Sequence, residues 1–358
     1  MATYAALQTE PRLRIEPICS FRHLRALAWH NDVLYASRGY TLYSGQIQSR
    51  DILWREVGRF RPSWWRNLTC HSSLAARLVR DGFHALAVLP NGNLVAAVPG
   101  AIITMRKDER EFFVTHEITR GTRPLHICVT PVGHVFWGEY FNNKERLEVY
   151  IYGSTDGGIT WKKVYRFSAG QVRHIHNIVY DRWRNCLWIL TGDYGMECQI
   201  LRASMDFARV EQVLKGGQQA RAVAAVPTHE SLYFASDTPL ETNYIYRLDA
   251  QDRVDKLCEI PSSSIDGCKN DCGIFFATMV EPGKVNRTRH ATIFASCSGD
   301  SWSQVAQWRK DRWPMRFFQY GTPLSPSGNN STDFLAVSTI ALAGARDVQT
   351  TIYRTLLS

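Results

Sequence analysis

A short apolar strand, a tight turn and a second β-rich strand recur along this chain at intervals of about fifty residues, and that recurrence excludes most folds before composition is considered. Ala26 to Trp29 is followed by Val33 to Ala36, His84 to Leu89 by Leu94 to Val98, and Ile127 to Thr130 by His134 to Trp137. The same grammar continues through Ile178 to Leu190, Ala222 to Ala235 and Gly273 to Ser296, and a last unit runs from Phe317 to Arg354. Helical periodicity is scarce, with its best candidate at Ser72 to Arg80. Repeats of four short strands at this period predict the blades of an all-β propeller. The 358 residues divide into seven units of about 51, starting near 20, 65, 121, 172, 218, 262 and 316, with six or eight blades as the alternatives. The last unit is one strand short, and Arg12 to Ile15 can supply that strand, closing the ring and removing an exposed sheet edge. No linker-like segment interrupts the pattern, so residues 1–358 read as a single propeller domain.

Composition narrows the class further. Hydrophobic residues at 45% and charged residues at 21% suit a chain with a buried core and exclude a disordered or collagen-like one. The apolar stretches at Leu94 to Met105 and Phe334 to Ala345 are too short and too interrupted for a membrane-spanning helix. The N-terminus lacks the basic, apolar and small-residue succession of a secretory leader, which predicts a cytoplasmic protein with no membrane partner. A net charge of +9 favours an anionic partner, yet no run of five Lys or Arg occurs, which argues against nucleic acid. Nine scattered cysteines read as thiols rather than as a disulfide framework.

One local motif is complete: Ser154-Thr-Asp156-Gly-Gly158-Ile-Thr160-Trp161. Its Asp carboxylate can collect the backbone N–H groups of a tight turn, glycine supplies the unusual dihedrals, and the Trp can pack between sheets. Weaker copies stand at Ser204-Met-Asp206, fifty residues on, and at Ser298-Gly-Asp300-Ser-Trp302, a further 94 residues on, close to two repeats. On these residues the chain resembles the Asp-box (BNR-repeat) propellers, an assembly that includes sialidase-like glycoside hydrolases, polysaccharide lyases and non-catalytic modules. The boxes belong to the blade periphery in that assembly, so they speak to the fold, and function must come from the channel.

Inner strands of a propeller converge on a central channel, so residues at equivalent strand ends are neighbours in space. Aligning the first strands puts Arg25, His84, His126, His176 and Arg221 in one slot, with Gln319 in a similar slot of the last blade. The ends of the second strands supply Arg38, Glu139, Asp193, Asp237 and Glu281. In His174-Ile-His176 the period of a strand points both imidazoles to one face, which suits a metal or an acid/base pair. Arg25 and Arg221 are the expected carboxylate binders, with Arg38, His174, Asp237 and Glu281 contacting substrate. His126, His176, Tyr140, Glu139 and Asp193 are the expected acid/base residues.

Two functions follow as expectations. The first is a carbohydrate-active enzyme that cleaves an acidic glycan in the channel by lyase-type or hydrolytic chemistry. The constellation is similar to propeller lyases of oligogalacturonate, whose divalent metal is held by three histidines and a glutamine. By that resemblance the ligands would be His84, His126, His176 and Gln319. Resemblance to sialidases implies instead an Arg triad of Arg25, Arg38 and Arg221 near Tyr140 and Glu139, although Leu13-Arg14-Ile15-Glu16-Pro17 only loosely approaches the sialidase Phe-Arg-Ile-Pro motif. The second function is a non-catalytic propeller binding a glycan or a protein in a cytoplasmic polysaccharide pathway.

Overall fold

The computed structural model describes residues 12–48, 51–344 and 348–357. The first eleven residues, on which the absence of a leader was read, lie outside them. The apolar strands assemble into seven four-stranded blades arranged as a β-propeller; five are separate antiparallel sheets, and blades 1 and 2 are joined by a short parallel pairing of Arg59 and Phe60 with Glu111 and Phe112. Their inner strands are Arg25–His30, Ala85–Val88, Cys128–Val129, His174–Asp181, Ala222–Pro227, Ser264–Lys269 and Thr322–Leu324, for blades 1 to 7 in that order. The ring closes as expected: the N-terminal strand Leu13–Arg22 is the outer strand of blade 7 and pairs antiparallel with the C-terminal strand Gln349–Leu357, from Leu13↔Leu357 to Arg22↔Gln349. Blade 2 begins later than its predicted start near 65. The interval holds two short helices, Trp64–Thr69 and Ser73–Val79, the second capped by the Ser72 hydroxyl, which accepts from Ala75 N.

Alternation along the strands explains why both faces of each blade are apolar. In Leu94–Val98 of blade 2, Leu94, Ala96 and Val98 pack with Leu27 and Leu42 of blade 1. Val95 and Ala97, pointing the other way, pack with Ile127, Val135 and Trp137 of blade 3. Every neighbouring pair of blades shares such a cluster, and the seventh, between blades 7 and 1, joins Phe334 and Ala336 to Trp29 and Leu34. Strands buried on both faces therefore read as continuous apolar runs instead of alternating ones. Replacing one large core ring such as Phe276 by Ala removes a contact worth about 3–5 kcal/mol.

The complete Asp motif sits on the hairpin between the third and fourth strands of blade 3, Val149–Ser154 and Lys162–Phe167. Asp156 Oδ1 accepts from Ser154 Oγ at 2.7 Å, Ile159 N at 3.1 Å and Thr160 N at 3.0 Å. Burial opposes its ionisation, but the Thr160 and Ser154 bonds prevail and hold it down at about 2. Gly158 has φ +82°, and a Cβ there would meet Val95 Cγ2 at 2.3 Å, so the turn can close on blade 2 only as glycine. Its carbonyl accepts from Thr104 Oγ1 of blade 2. Ser204 and Asp206 repeat the turn in blade 4. In blade 5 the role falls to Asp249, which accepts from Gln251 N and Arg253 N and supplies the unit missing between the second and third sequence copies. In blade 6 Asp300 instead pairs with Arg247 at 2.5 Å, and only Trp302 keeps its packing place, against Tyr233 and Phe276.

Candidate functional site in the central channel

Antiparallel pairing sets the start of each inner strand beside the end of its second strand: Arg25 faces Ser37, His174 faces Gly192, Ala222 faces Ser236 and Ser264 faces Thr278. Residues of both predicted rings therefore meet at one end of the channel. Inner-strand register slips at this end in blades 1, 4, 5 and 6, and His176 itself lies in the slip between Ile175 and Asn177. Such bulges re-aim side chains at the edge of a sheet. The channel encloses a cavity of about 1380 Å³, lined by nine arginines, five carboxyl residues and no lysine. Its cations are thus all planar forks suited to carboxylate, phosphate or sulfate.

The side of the channel built by blades 4 to 6 is a dense ionic network. His174 and His176 are 4% and 3% exposed. Each imidazole is anchored at Nδ1 by a backbone carbonyl, His174 on Phe141 O at 3.0 Å and His176 on Ala222 O at 2.8 Å. A carbonyl only accepts, so both Nδ1 atoms carry a proton, and the Nε2 atoms present lone pairs when the rings are neutral or donate to Asp193 when they are protonated. The two Nε2 atoms lie 3.1 Å apart, and Asp193 Oδ1 is 3.3 Å from one and 3.2 Å from the other. Gly192 makes the close approach feasible, because a Cβ there would meet His176 Cε1 at 2.5 Å. Arg173 pairs with Asp193 Oδ2 at 3.1 Å, and Arg221 reaches Asp193 Oδ1 at 3.5 Å and Asp237 Oδ2 at 3.3 Å. Burial works against the Asp193 charge, yet its bonds to His174 and His176 hold the carboxyl far below the usual range. Burial raises Glu281, with Asp237 adding to the effect, while Ser263 Oγ donates to it at 2.9 Å. The Tyr140 ring lies tilted against His174, ring centres 4.3 Å apart, and burial pushes its phenol up to about 12, the charges of Asp193 and Asp237 contributing.

The side built by blades 1 to 3 has the opposite character. Arg25 donates to the carbonyls of Phe83 and His84 at 3.3 and 3.1 Å, and burial lowers it to about 10. His84 uses both ring nitrogens, donating from Nε2 to Arg80 O at 2.7 Å and facing Arg25 Nη1 with Nδ1 at 3.3 Å. Arg123 lines the cavity and makes no hydrogen bond or ion pair among the described residues; burial, with the charges of Arg25 and Arg80, lowers it to about 9. His126 likewise has no hydrogen bond among the described residues, and burial, then the nearby His176 and Arg25, push it down to about 4, so it is a neutral base at pH 7. Asp266 of blade 6 closes this side. Its two oxygens accept from Ser325 N at 3.1 and 3.0 Å, and burial outweighs those bonds and raises it to about 7.

Several sequence expectations change here. Glu139 does not line the cavity: Arg120 binds both its oxygens and Tyr150 N donates to it at 2.8 Å, making it a buried structural acid. The ligand set His84, His126, His176 and Gln319 does not converge. His84 is consumed by Arg80 and Arg25, and Gln319, after the short helix Met315–Phe318, donates to Arg77 O at 3.3 Å. Among the described residues the group of His, Cys, Asp and Glu whose ligand atoms approach within 4.8 Å is His174, His176 and Asp193. Arg25, Arg38 and Arg221 are no single clamp: Arg25 is held on carbonyls, Arg221 lies between two aspartates, and Arg38 is exposed at the mouth. Arg123, Arg173 and Asp266 went unassigned. Asp266 is the blade 6 member of the inner-strand ring and would have emerged had that alignment been carried through blade 6, and Arg173 directly precedes the His-x-His pair.

No family model matches this chain, and no curated protein matches it in sequence. Solved structures do match in shape. A catalytically inactive histidine-to-alanine variant of virginiamycin B lyase from Staphylococcus aureus, solved with quinupristin, aligns with TM-score 0.57 at 11% identity, covering 96% of this chain and 99% of that one. The WD40 propeller domain of Doa1 aligns with TM-score 0.57 at 10% identity, covering 95% and 96%. A chain of the mitotic checkpoint complex aligns with TM-score 0.55 at 10% identity, covering 97% and 95%. At such identities the likeness is one of fold, and the fold is the β-propeller.

Proposed function

We propose that the channel binds an anionic carbohydrate and cleaves it by elimination, as a lyase of Asp-box propeller type. The observation that carries this reading is Arg123, a partly buried guanidinium lining the cavity with no acidic partner among the described residues, beside Arg25 and Arg80. A buried cation without a counter-charge costs stability, and a ligand carboxylate that supplies one gains a charge-assisted bidentate bond worth about 1.5–3 kcal/mol. Pairing a uronate carboxylate with Arg123 withdraws its charge and acidifies the adjacent C–H. His126, neutral and unengaged, accepts that proton; the C–H electron pair becomes the new C=C bond, the C–O bond breaks, and the departing oxygen takes a proton from Tyr140. Arg38 at the mouth and the arginine-rich lining draw the polyanion inward. That virginiamycin B lyase is built on a similar propeller is in keeping with elimination chemistry on this scaffold.

A second reading, capture of the glycan without turnover, is favoured by the ion pairs that already occupy Asp193 and Arg221. A panel of uronate-containing and neutral oligosaccharides, followed by calorimetry and by the ultraviolet absorbance of unsaturated uronate, tests both. Absorbance that grows with wild type and is lost in His126→Gln supports elimination. Binding without a chromophore leaves capture alone, and equal indifference to acidic and neutral glycans overturns the anionic ligand.

A further inference from the structure

Three electron-rich atoms, His174 Nε2, His176 Nε2 and Asp193 Oδ1, lie 3.1–3.3 Å from one another. With both Nδ1 protons committed to the carbonyls of Phe141 and Ala222, neutral imidazoles would aim two lone pairs and a carboxylate at one point. One proton can bridge two of these atoms but cannot satisfy all three. We infer that His174, His176 and Asp193 bind one divalent first-row transition-metal ion, with its remaining positions open to the channel.

The geometry fits such an ion. Donors on a triangle of this size that sit at the usual metal–ligand distance of about 2.1 Å place the ion about 1 Å out of their plane, with ligand–metal–ligand angles of roughly 100°. That lies between tetrahedral and octahedral values and is what three protein ligands on one face provide. The supporting groups are in place as well: a backbone carbonyl on each imidazole and Arg173 on the far oxygen of Asp193 fix ring tautomers and carboxylate orientation. Gly192 admits the His176 ring, and the carboxylates of Asp237 and Glu281 offset the positive charge of Arg173 and Arg221. Two imidazoles with one carboxylate select zinc, iron, cobalt or nickel over magnesium or calcium, which prefer all-oxygen shells. This inference stands apart from the proposed elimination, which routes no step through a metal.

The test uses the full-length protein stripped with chelator and titrated with Co²⁺, read by visible d–d absorption, and with Zn²⁺, read by elemental analysis after dialysis. One ion per chain, with a visible spectrum of nitrogen–oxygen ligation, is expected. Asp193→Asn and His176→Gln should weaken the affinity by about 100-fold or more. Arg123→Gln should retain the metal in full even where it abolishes glycan binding, so loss of one reading leaves the other standing. Circular dichroism of each variant without metal separates lost ligation from lost folding, and the wild-type titration decides the site should either variant unfold. Absence of Co²⁺ and Zn²⁺ binding by the wild type, or undiminished binding by a folded Asp193→Asn, overturns the site.

Discussion

Blades 1 to 3 line the channel with Arg25, Arg80 and Arg123, which have no ion-pair partner among the described residues, and with His84 and His126, whose protonation burial opposes, whereas blades 4 to 6 line it with Asp193, Asp237 and Glu281 interlocked with His174, His176, Arg173 and Arg221. The two sides share one construction, strand ends of successive blades, and differ in how far their charges are satisfied. A network whose members neutralise one another contributes to stability, while a cluster of desolvated like charges costs stability and is retained for what it binds. Stability and binding should therefore respond in opposite ways to mutation on the two sides.

The largest effect belongs to the interlocked side. Asp193→Asn leaves Arg173 and Arg221 without their shared carboxylate and should cost about 3 kcal/mol in denaturant unfolding of the metal-free protein. A loss below about 0.5 kcal/mol would erase the distinction between the two sides. Next comes Asp266, an acid that faces the cationic side. Its folded-state value near 7 exceeds the unfolded value of 3.8, so the folded chain holds a proton that the unfolded chain releases. The stability this provides is present in full below about pH 4 and is lost as pH rises toward 7. Asp266→Asn should abolish that decline, by about 2–3 kcal/mol across the window, and parallel pH–stability curves for variant and wild type would contradict it.

Arg123→Gln should weaken binding of an acidic glycan about 10- to 100-fold and flatten its salt dependence, while stability stays level or rises slightly as like-charge repulsion is relieved. Calorimetry at two ionic strengths, paired with an unfolding curve, checks both signs at once; a destabilised variant would mean that this side is structural too. The smallest effect is peripheral. Asp156→Ala removes the acceptor of the blade 3 hairpin turn that closes on blade 2 and should cost about 1–2 kcal/mol without changing ligand or metal affinity.

Legibility in the sequence followed physical range. The period of the apolar strands, the closing strand at Leu13 and the Ser154–Trp161 turn depend on local dihedrals and on alternation, and each was readable from neighbouring residues. So was the circle of polar strand ends, since an inner-strand slot recurs with the repeat. The partners of each polar group were not readable. Glu139 and Asp193 occupy equivalent places at the ends of second strands, yet Arg120 engages one and the His-x-His pair the other. Likewise His84 and His176 share a slot, but the bulge at His176 and the glycine its ring packs against turn one ring toward a carboxylate, while an Arg and a carbonyl claim the other.

The amino-acid order by itself determined an all-β propeller, because strand length, turn chemistry and two-faced apolarity act over a few residues and repeat. Tertiary structure alone decided which histidines converge, which channel arginines have no ion-pair partner among the described residues, and that burial raises Asp266 to about 7. Those outcomes depend on distances of 3 to 4 Å, within blade 4 for His174, His176 and Asp193 and between blades for Arg25 with His84 and Arg221 with Asp193, and on the desolvation that only the closed ring imposes.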